Sequence, residues 1–214
     1  MESVAAVVGD LVGSRLAQNR RDLHDRFAAA VDRINSAEGR QRPVTQLRIM
    51  AGDDYQGCFA SVGVALQATL RLRLALGAEA DIRHGIGWGP VSVLSEEPRV
   101  EDGPGWWAAR AAIEEVEAAQ AKPGFRALRT AYRRAADAAG PDPDAVNAAL
   151  VARDQLLAGA GPESLSVLAG MLAGMSQKQI AADLGISPSA VSQRVRRDGL
   201  AALIHVDDLL GAVT

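Results

Sequence analysis

The chain has 214 residues, 48% of them apolar and 23% charged, with a formal net charge of −3. That length holds one large domain or two small ones, each with its own core, and the composition is that of a soluble globular protein. An acidic balance excludes nonspecific binding of polyanions by the molecule as a whole, so any nucleic-acid contact must come from a local basic face. The lone cysteine, Cys58, excludes an internal disulfide and reads as a buried, inert thiol. No stretch approaches the roughly 20 apolar residues of a membrane span, and the start of the chain is unlike a signal peptide. A cytoplasmic protein with no membrane partner is the expectation.

Residues 4–8 are a short apolar run ending at Gly9-Asp10, a buried strand leading into a loop. Leu23, Phe27, Ala30, Val31 and Ile34 recur at helical spacing, which predicts a helix over 16–37. Residues 47–49 and 55–60 flank Ala51-Gly52-Asp53-Asp54 and predict a hairpin with carboxylates at its tip. A helix over 62–75 follows, then a strand over 81–88, which residues 91–94 extend or pair with, then a helix over 106–121. This βαββαβ order predicts an α+β fold: a ferredoxin-like sheet with its helices packed on one face. Residues 125–138 and 144–160 read as connecting helices. The predicted division is residues 1–123 for the sheet, 124–162 for the connection and 163–214 for an all-α helix-turn-helix unit.

That last unit carries the strongest motif, from Gln177 to Arg196. Ala181 supplies the small residue where two helices cross, and Gly185 tolerates the positive φ of the turn. Ser176 and Gln179 form a capping box, while Ser187 caps the second helix and Pro188 takes its first turn. Ile180, Leu184, Ile186, Val191 and Val195 are expected to hold the pair together. The predicted outer face of the second helix is Ser187, Ser189, Ala190, Ser192, Gln193, Arg194 and Arg197, and Lys178 adds charge on the first. Hydroxyl, amide and guanidinium groups suit base edges and phosphates. The expected partner is therefore DNA, bound by a homodimer on a two-part site. The plain alternative is a helical corner that only packs a core. Residues 164–174 read as a support helix, and 200–210 as a closing helix or a dimer contact.

Asp10, Asp53 and Asp54 are expected to converge at one sheet edge, where carboxylates suit Mg²⁺ or Mn²⁺ with phosphate oxygens. No cofactor is required by this reading, and such an ion would accompany a nucleotide. Gly13, Ser14 and Arg15 precede a predicted helix start that favours phosphate. The plain alternatives are a capping role for Asp10 and turn roles for Asp53 and Asp54. Of the Trp106-Trp107 pair, one ring is expected in the core and one at a surface. His84 is expected to be packed and hydrogen-bonded, and no Zn²⁺ spacing or catalytic triad can be assembled.

In order along the chain stand Val8-Gly9-Asp10-Leu11-Val12-Gly13-Ser14, Gly52-Asp53-Asp54-Tyr55, Arg83-His84-Gly85-Ile86-Gly87-Trp88-Gly89 and Ala108-Ala109-Arg110. This series resembles the catalytic domain of class III nucleotidyl cyclases over about residues 1–120, and the whole chain resembles the bacterial SatD family. The cyclase resemblance implies metal binding by Asp10 and Asp53, triphosphate contact by Arg110, and head-to-tail pairing of two chains. The family's asparagine falls on Trp106 and its purine-selecting lysine on Ile49, beside Arg48, so the resemblance favours nucleotide binding over cyclisation. Two functions follow: a transcriptional regulator with a sensor or dimerisation body, or a metal-dependent enzyme acting on a nucleoside triphosphate and recruited by the helix-turn-helix.

Overall fold

Alternation of apolar residues along the first strand sends Ala5, Val7 and Leu11 to one side and Ala6 and Val8 to the other, and both sides find a helical layer. The computed structural model describes residues 2–13, 19–50, 53–77 and 80–214. A five-stranded sheet is built from β1 (Ser3–Val12), β2 (Thr45–Ile49), β3 (Asp54–Phe59), β4 (Asp81–Pro90) and a later strand, Thr130–Arg134. Two further strands, β5 (Ser92–Glu96) and β6 (Arg99–Asp102), pair only with each other, which makes Thr130–Arg134 β7. The sheet order is β2-β3-β1-β4-β7. Its first four strands are antiparallel and β7 runs parallel to β4.

Helices α1 (Arg20–Asn35) and α2 (Val62–Leu76) cover one face, joined by α4 (Pro143–Gly159) through Val146 and Leu150. Helix α3 (Pro104–Gln120) lies on the opposite face, with Trp106 and Ala109 against Ala6 and Cys58. The expectation of helices on one face is thus corrected. Its physical reason is the alternation in β4, where Gly85, Gly87 and Gly89 present bare backbone to α3. A Cβ at Gly87 would stand 2.2 Å from both Ala109 N and Gly105 O.

Three further expectations change. Residues 125–138 are not a helix. Alanine content suggested one, but Ala131 packs towards α3 and Tyr132 towards α4, a strand's two-sided burial. The stretch read as connecting helices therefore contains a strand of the sheet. Helix α1 begins at Arg20 and ends at Asn35, with the Asn19 side chain accepting from Asp22 N, so it is shorter at its C-terminal end than the expected 37, and residues 16–18 of the expected helix lie outside the described residues. The chain also leaves the main sheet after Pro90, so 91–94 neither extend nor pair with β4.

Both edges of the sheet are closed the same way. The Asn147 amide accepts from Tyr132 N at 2.9 Å and donates to Tyr132 O at 2.8 Å on β7. The Asn35 amide accepts from Leu47 N at 2.8 Å and donates to Leu47 O at 2.9 Å on β2. Each amide stands in for one residue of a further strand, which blunts edge pairing. Replacing Asn147 by leucine strands one donor and one acceptor, and is expected to cost about 1–3 kcal/mol. Self-association rising with concentration should accompany that loss. Denaturant titration and light scattering check both, and an unchanged midpoint would refute the edge-closing role.

Four helices complete the chain: α5 (Pro162–Leu172), α6 (Gln177–Leu184), α7 (Pro188–Arg197) and α8 (Leu200–Gly211). Val167, Leu168, Ile180, Ala181, Val191, Leu200 and Leu203 form their core, and Leu70 of α2 enters it. Helix α8 also packs on α2 and α4, where buried Asp207 is paired with Arg71 at 3.2 Å. The residues expected to close the C-terminal unit do so against the sheet body. Among the described residues no helix is long and apolar enough to cross a membrane.

Candidate functional site

The α6–α7 pair owes its geometry to local chemistry. Ser176 Oγ accepts from Gln179 N at 3.3 Å, and Gln179 Oε1 accepts from Ser176 N at 2.8 Å, a closed capping box. Gly185 takes the left-handed conformation at φ 65°, ψ 29° and ends α6. Ser187 Oγ then accepts from Ala190 N at 3.1 Å and starts α7. Leu184 departs from expectation. It is 38% exposed and lies outside the core that Ile180 and Val191 share.

Val191 and Val195 turn α7 inward. At 100° per residue, the opposite side of the helix carries Ser189, Gln193, Arg196 and Arg197. All four are exposed, with Ser192 half-buried beside them. Lys178 is exposed at the start of α6. The cations differ in their engagement. Arg194 is paired with Glu163 on α5, its side chain only 20% exposed. Arg197 Nε and Nη2 reach Asp198 at 2.7 and 3.1 Å, and Asp198 also accepts from Ser164 Oγ. Bonding to Arg197 first, and to Ser164 next, holds the Asp198 carboxyl down at about 2. Arg196 has no ion pair or hydrogen bond among the described residues. It stands outside the outer face expected from the sequence, yet lies on the side of α7 opposite Val191 and Val195.

A second cluster lies at the β1–β3–β4 end of the α3 face. Asp10 receives both Arg83 Nε at 2.7 Å and Arg83 Nη2 at 2.6 Å, and Glu117 of α3 holds Arg83 Nη1 at 3.2 Å. Asp54 sits opposite Asp10 in the strand register. Burial, then the charges of Asp53 and Asp10, raise the Asp54 carboxyl above its ordinary value. Asp10, Asp54, Arg110, Ile113 and Met50 line one cavity of about 370 Å³. Asp53 lines another, with Arg20, Arg21 and His24 of α1. The three carboxylates thus do not form one ligand set, and Asp10 already spends both oxygens on a guanidinium. Among the described residues no group of three His, Cys, Asp or Glu could hold a metal ion. The residues as placed do not fit a two-aspartate Mg²⁺ or Mn²⁺ centre. Gly13 has a φ of 74° after β1, while Ser14 and Arg15 lie outside the described residues. Arg110 is exposed and has no ion pair or hydrogen bond among the described residues.

The profile of the SatD family matches residues 4–207. The chain belongs to the SatD family. A comparison with curated proteins finds no match. Family membership spans both clusters, and in this SatD-family chain the position expected to hold a cyclase-type asparagine is Trp106, a core residue at 6% exposure. Trp107 is 60% exposed and donates its Nε1–H to Asp102 at 2.8 Å, so one ring is inside and one outside.

Sequence reasoning missed the most buried polar cluster of this SatD-family fold. Asp154 Oδ2 accepts from the backbone N–H groups of Arg129 and Thr130, at 2.7 and 2.9 Å. Its Oδ1 receives Arg73 at 3.1 Å and Arg153 at 3.3 Å. Asp81 binds Arg73 at 3.0 Å and Arg129 at 2.6 Å. The available signal was spacing: Arg153 and Asp154 fall on the stripe Val146, Leu150, Leu157 that α4 buries.

Next to this cluster, fully buried His84 accepts or donates at Nδ1 with Tyr55 OH at 2.6 Å, packed as expected. Burial first, then the charges of Arg153 and Arg73, push its pKa well below the usual 6.5. The unfolded chain therefore takes up a proton that the folded chain refuses. His84's contribution is intact above about pH 6.5 and is lost as pH falls, by about 1.4 kcal/mol per pH unit. Unfolding midpoints are expected to drop between pH 6.5 and 5, and to drop less in His84→Gln. Equal slopes in the two proteins would remove this assignment.

Proposed function

We propose that this chain is a DNA-binding transcriptional regulator. In this reading α6 and α7 are a helix-turn-helix, and the sheet body is a ferredoxin-like, cyclase-like sensor or dimerisation unit. The observation that carries it is the exposed stripe Ser189, Gln193, Arg196 and Arg197, with half-buried Ser192 beside it, on a helix whose own caps are satisfied internally. A packing corner needs none of those groups outside; a groove-reading helix needs all of their chemistries. The order β2-β3-β1-β4, with α1 and α2 on one face, supports the ferredoxin-like plan for the body. Closed sheet edges direct any homodimer to a face rather than to sheet extension.

Retention of genomic duplex fragments by the purified protein tests the reading. Affinity should fall steeply as salt rises, because each neutralised phosphate releases counterions. No retention at low salt, or retention indifferent to salt, would overturn it.

A second reading, a nucleotide ligand in the Asp10–Arg110 cavity, is favoured by Arg110 on its wall, which has no partner among the described residues. Such a ligand regulates only if it binds DNA-competent and DNA-incompetent forms differently. Calorimetric titration with ATP and GTP, with and without Mg²⁺, tests it, and heat abolished in Arg110→Ala would support it.

A further inference from the structure

We propose that α7 reads a guanine and an adenine within two base pairs of each other, Arg196 taking the guanine and Gln193 the adenine. This rests on the DNA-binding reading above and names the chemistry of the site.

Few side chains on the outward face have a planar head and the reach for a two-point base contact. Among Gln193, Arg194, Arg196 and Arg197, two are already engaged. Arg194 leans to the flank, where Glu163 of α5 holds it, and its side chain is largely covered. Arg197 spends Nε and Nη2 on Asp198. Gln193 and Arg196 are exposed, and neither has a hydrogen bond or ion pair among the described residues. Ser189 and Ser192 flank them. A hydroxyl contacts either a phosphate or a base without separating one base from another.

The chemistry of the two free heads then sets the partner. A guanidinium fork matches O6 and N7 of guanine, and a carboxamide matches N6 and N7 of adenine. Residues three apart on a helix are separated by about 4.5 Å along its axis, close to one base step of about 3.4 Å. The two bases are therefore neighbours or next neighbours. Arg194 and Glu163 instead tie α7 to the start of α5, a positioning role.

Selection from a random duplex pool by the full-length protein, followed by sequencing, tests the assignment. The wild type should enrich sites with G and A at most two positions apart. Arg196→Ala should lose preference at the guanine by about 5- to 150-fold and keep it at the adenine. Gln193→Ala should do the reverse. Arg194→Ala and the reversed pair Glu163→Arg with Arg194→Glu should leave the selected bases unchanged.

Enriched sites without such a pair would overturn the assignment. So would an Arg196→Ala protein that binds every sequence equally less well, the mark of a phosphate contact. A shift in selected bases with the reversed pair would return Arg194 to the reading face. Failure of the wild type to retain any duplex sinks the DNA-binding reading itself, and this assignment with it. Circular dichroism of each variant separates lost contacts from lost folding.

Discussion

Asp154→Ala is expected to destabilise the protein by about 3–5 kcal/mol, the cost of removing one partner from a buried ion pair. Asp154 is fully buried and its two oxygens serve different masters. One fixes the backbone of Arg129 and Thr130 at the entry to β7, and the other neutralises Arg73 and Arg153. Alanine leaves two N–H groups without acceptors and leaves the Arg153 guanidinium, 2% exposed, without its nearest counter-charge. For a chain of this size the loss corresponds to a fall in Tm of about 6–20 °C. Thermal and urea unfolding read it directly, and a loss below 1 kcal/mol would contradict the account. Asp154→Leu with Arg153→Met should recover part of the stability, because neither charge is then stranded. The consequence reaches the proposed DNA face. Helix α4 runs into α5, and the first turn of α5 supplies both Glu163, which holds Arg194, and Ser164, which holds Asp198. Loosening α4 from β7 should weaken duplex binding even though Asp154 itself touches no surface.

Much of this was legible in the sequence where the cause is local. The α6–α7 pair is specified by neighbours in sequence. A serine three residues before a glutamine, a glycine four after an alanine, and a serine before a proline each satisfy a backbone need within one turn. The order of β1, α1, β2, β3, α2 and β4 followed from hydrophobic period for the same reason. What failed was whatever depends on the other layer. Residues 130–134 bury Thr130, Ala131 and Tyr132 in succession and carry no alternation to stand against the surrounding alanines. Only contact with β4 and burial on both sides make them a strand. Asp10, Asp53 and Asp54 do not line one cavity because Asp54 opens β3 opposite Asp10, whereas Asp53 precedes the strand and faces α1, a placement that the turn and the helix decide together. Arg83 lies seventy-three residues from Asp10 in sequence, and nothing local announces their pairing. The distinction between Arg194 and Arg196 was likewise hidden, since it depends on where Glu163 of α5 falls.

Gly87→Val is expected to cost about 3 kcal/mol or more, above the usual range for an overpacked core position. Most overpacking is relieved by side chains that swing aside. Here the obstacles are main-chain atoms of α3: Ala109 N and Gly105 O at 2.2 Å and the Ala108 carbonyl carbon at 2.8 Å from the added Cβ. Relief requires α3 to lift from β4 as a body. Lifting exposes Trp106 and Ala109 and uncovers Ala6 and Cys58, all buried in the native layer. Gly124→Ala is the control, since a Cβ there meets nothing within 4 Å, and its effect should stay within about 0.5 kcal/mol. Urea unfolding of the three proteins decides the matter, and a Gly87→Val midpoint equal to that of the control would show that α3 does not rest on bare backbone. The same variant probes the second proposed site. Arg110 rides on α3 while Asp10 and Asp54 stay with the sheet, and they line one cavity only because the glycines of β4 let the helix down onto the strands. Raising α3 should therefore abolish any nucleotide affinity of that cavity before it disturbs α6 and α7, whose core is drawn from α2, α4 and α5 to α8 and receives nothing from α3.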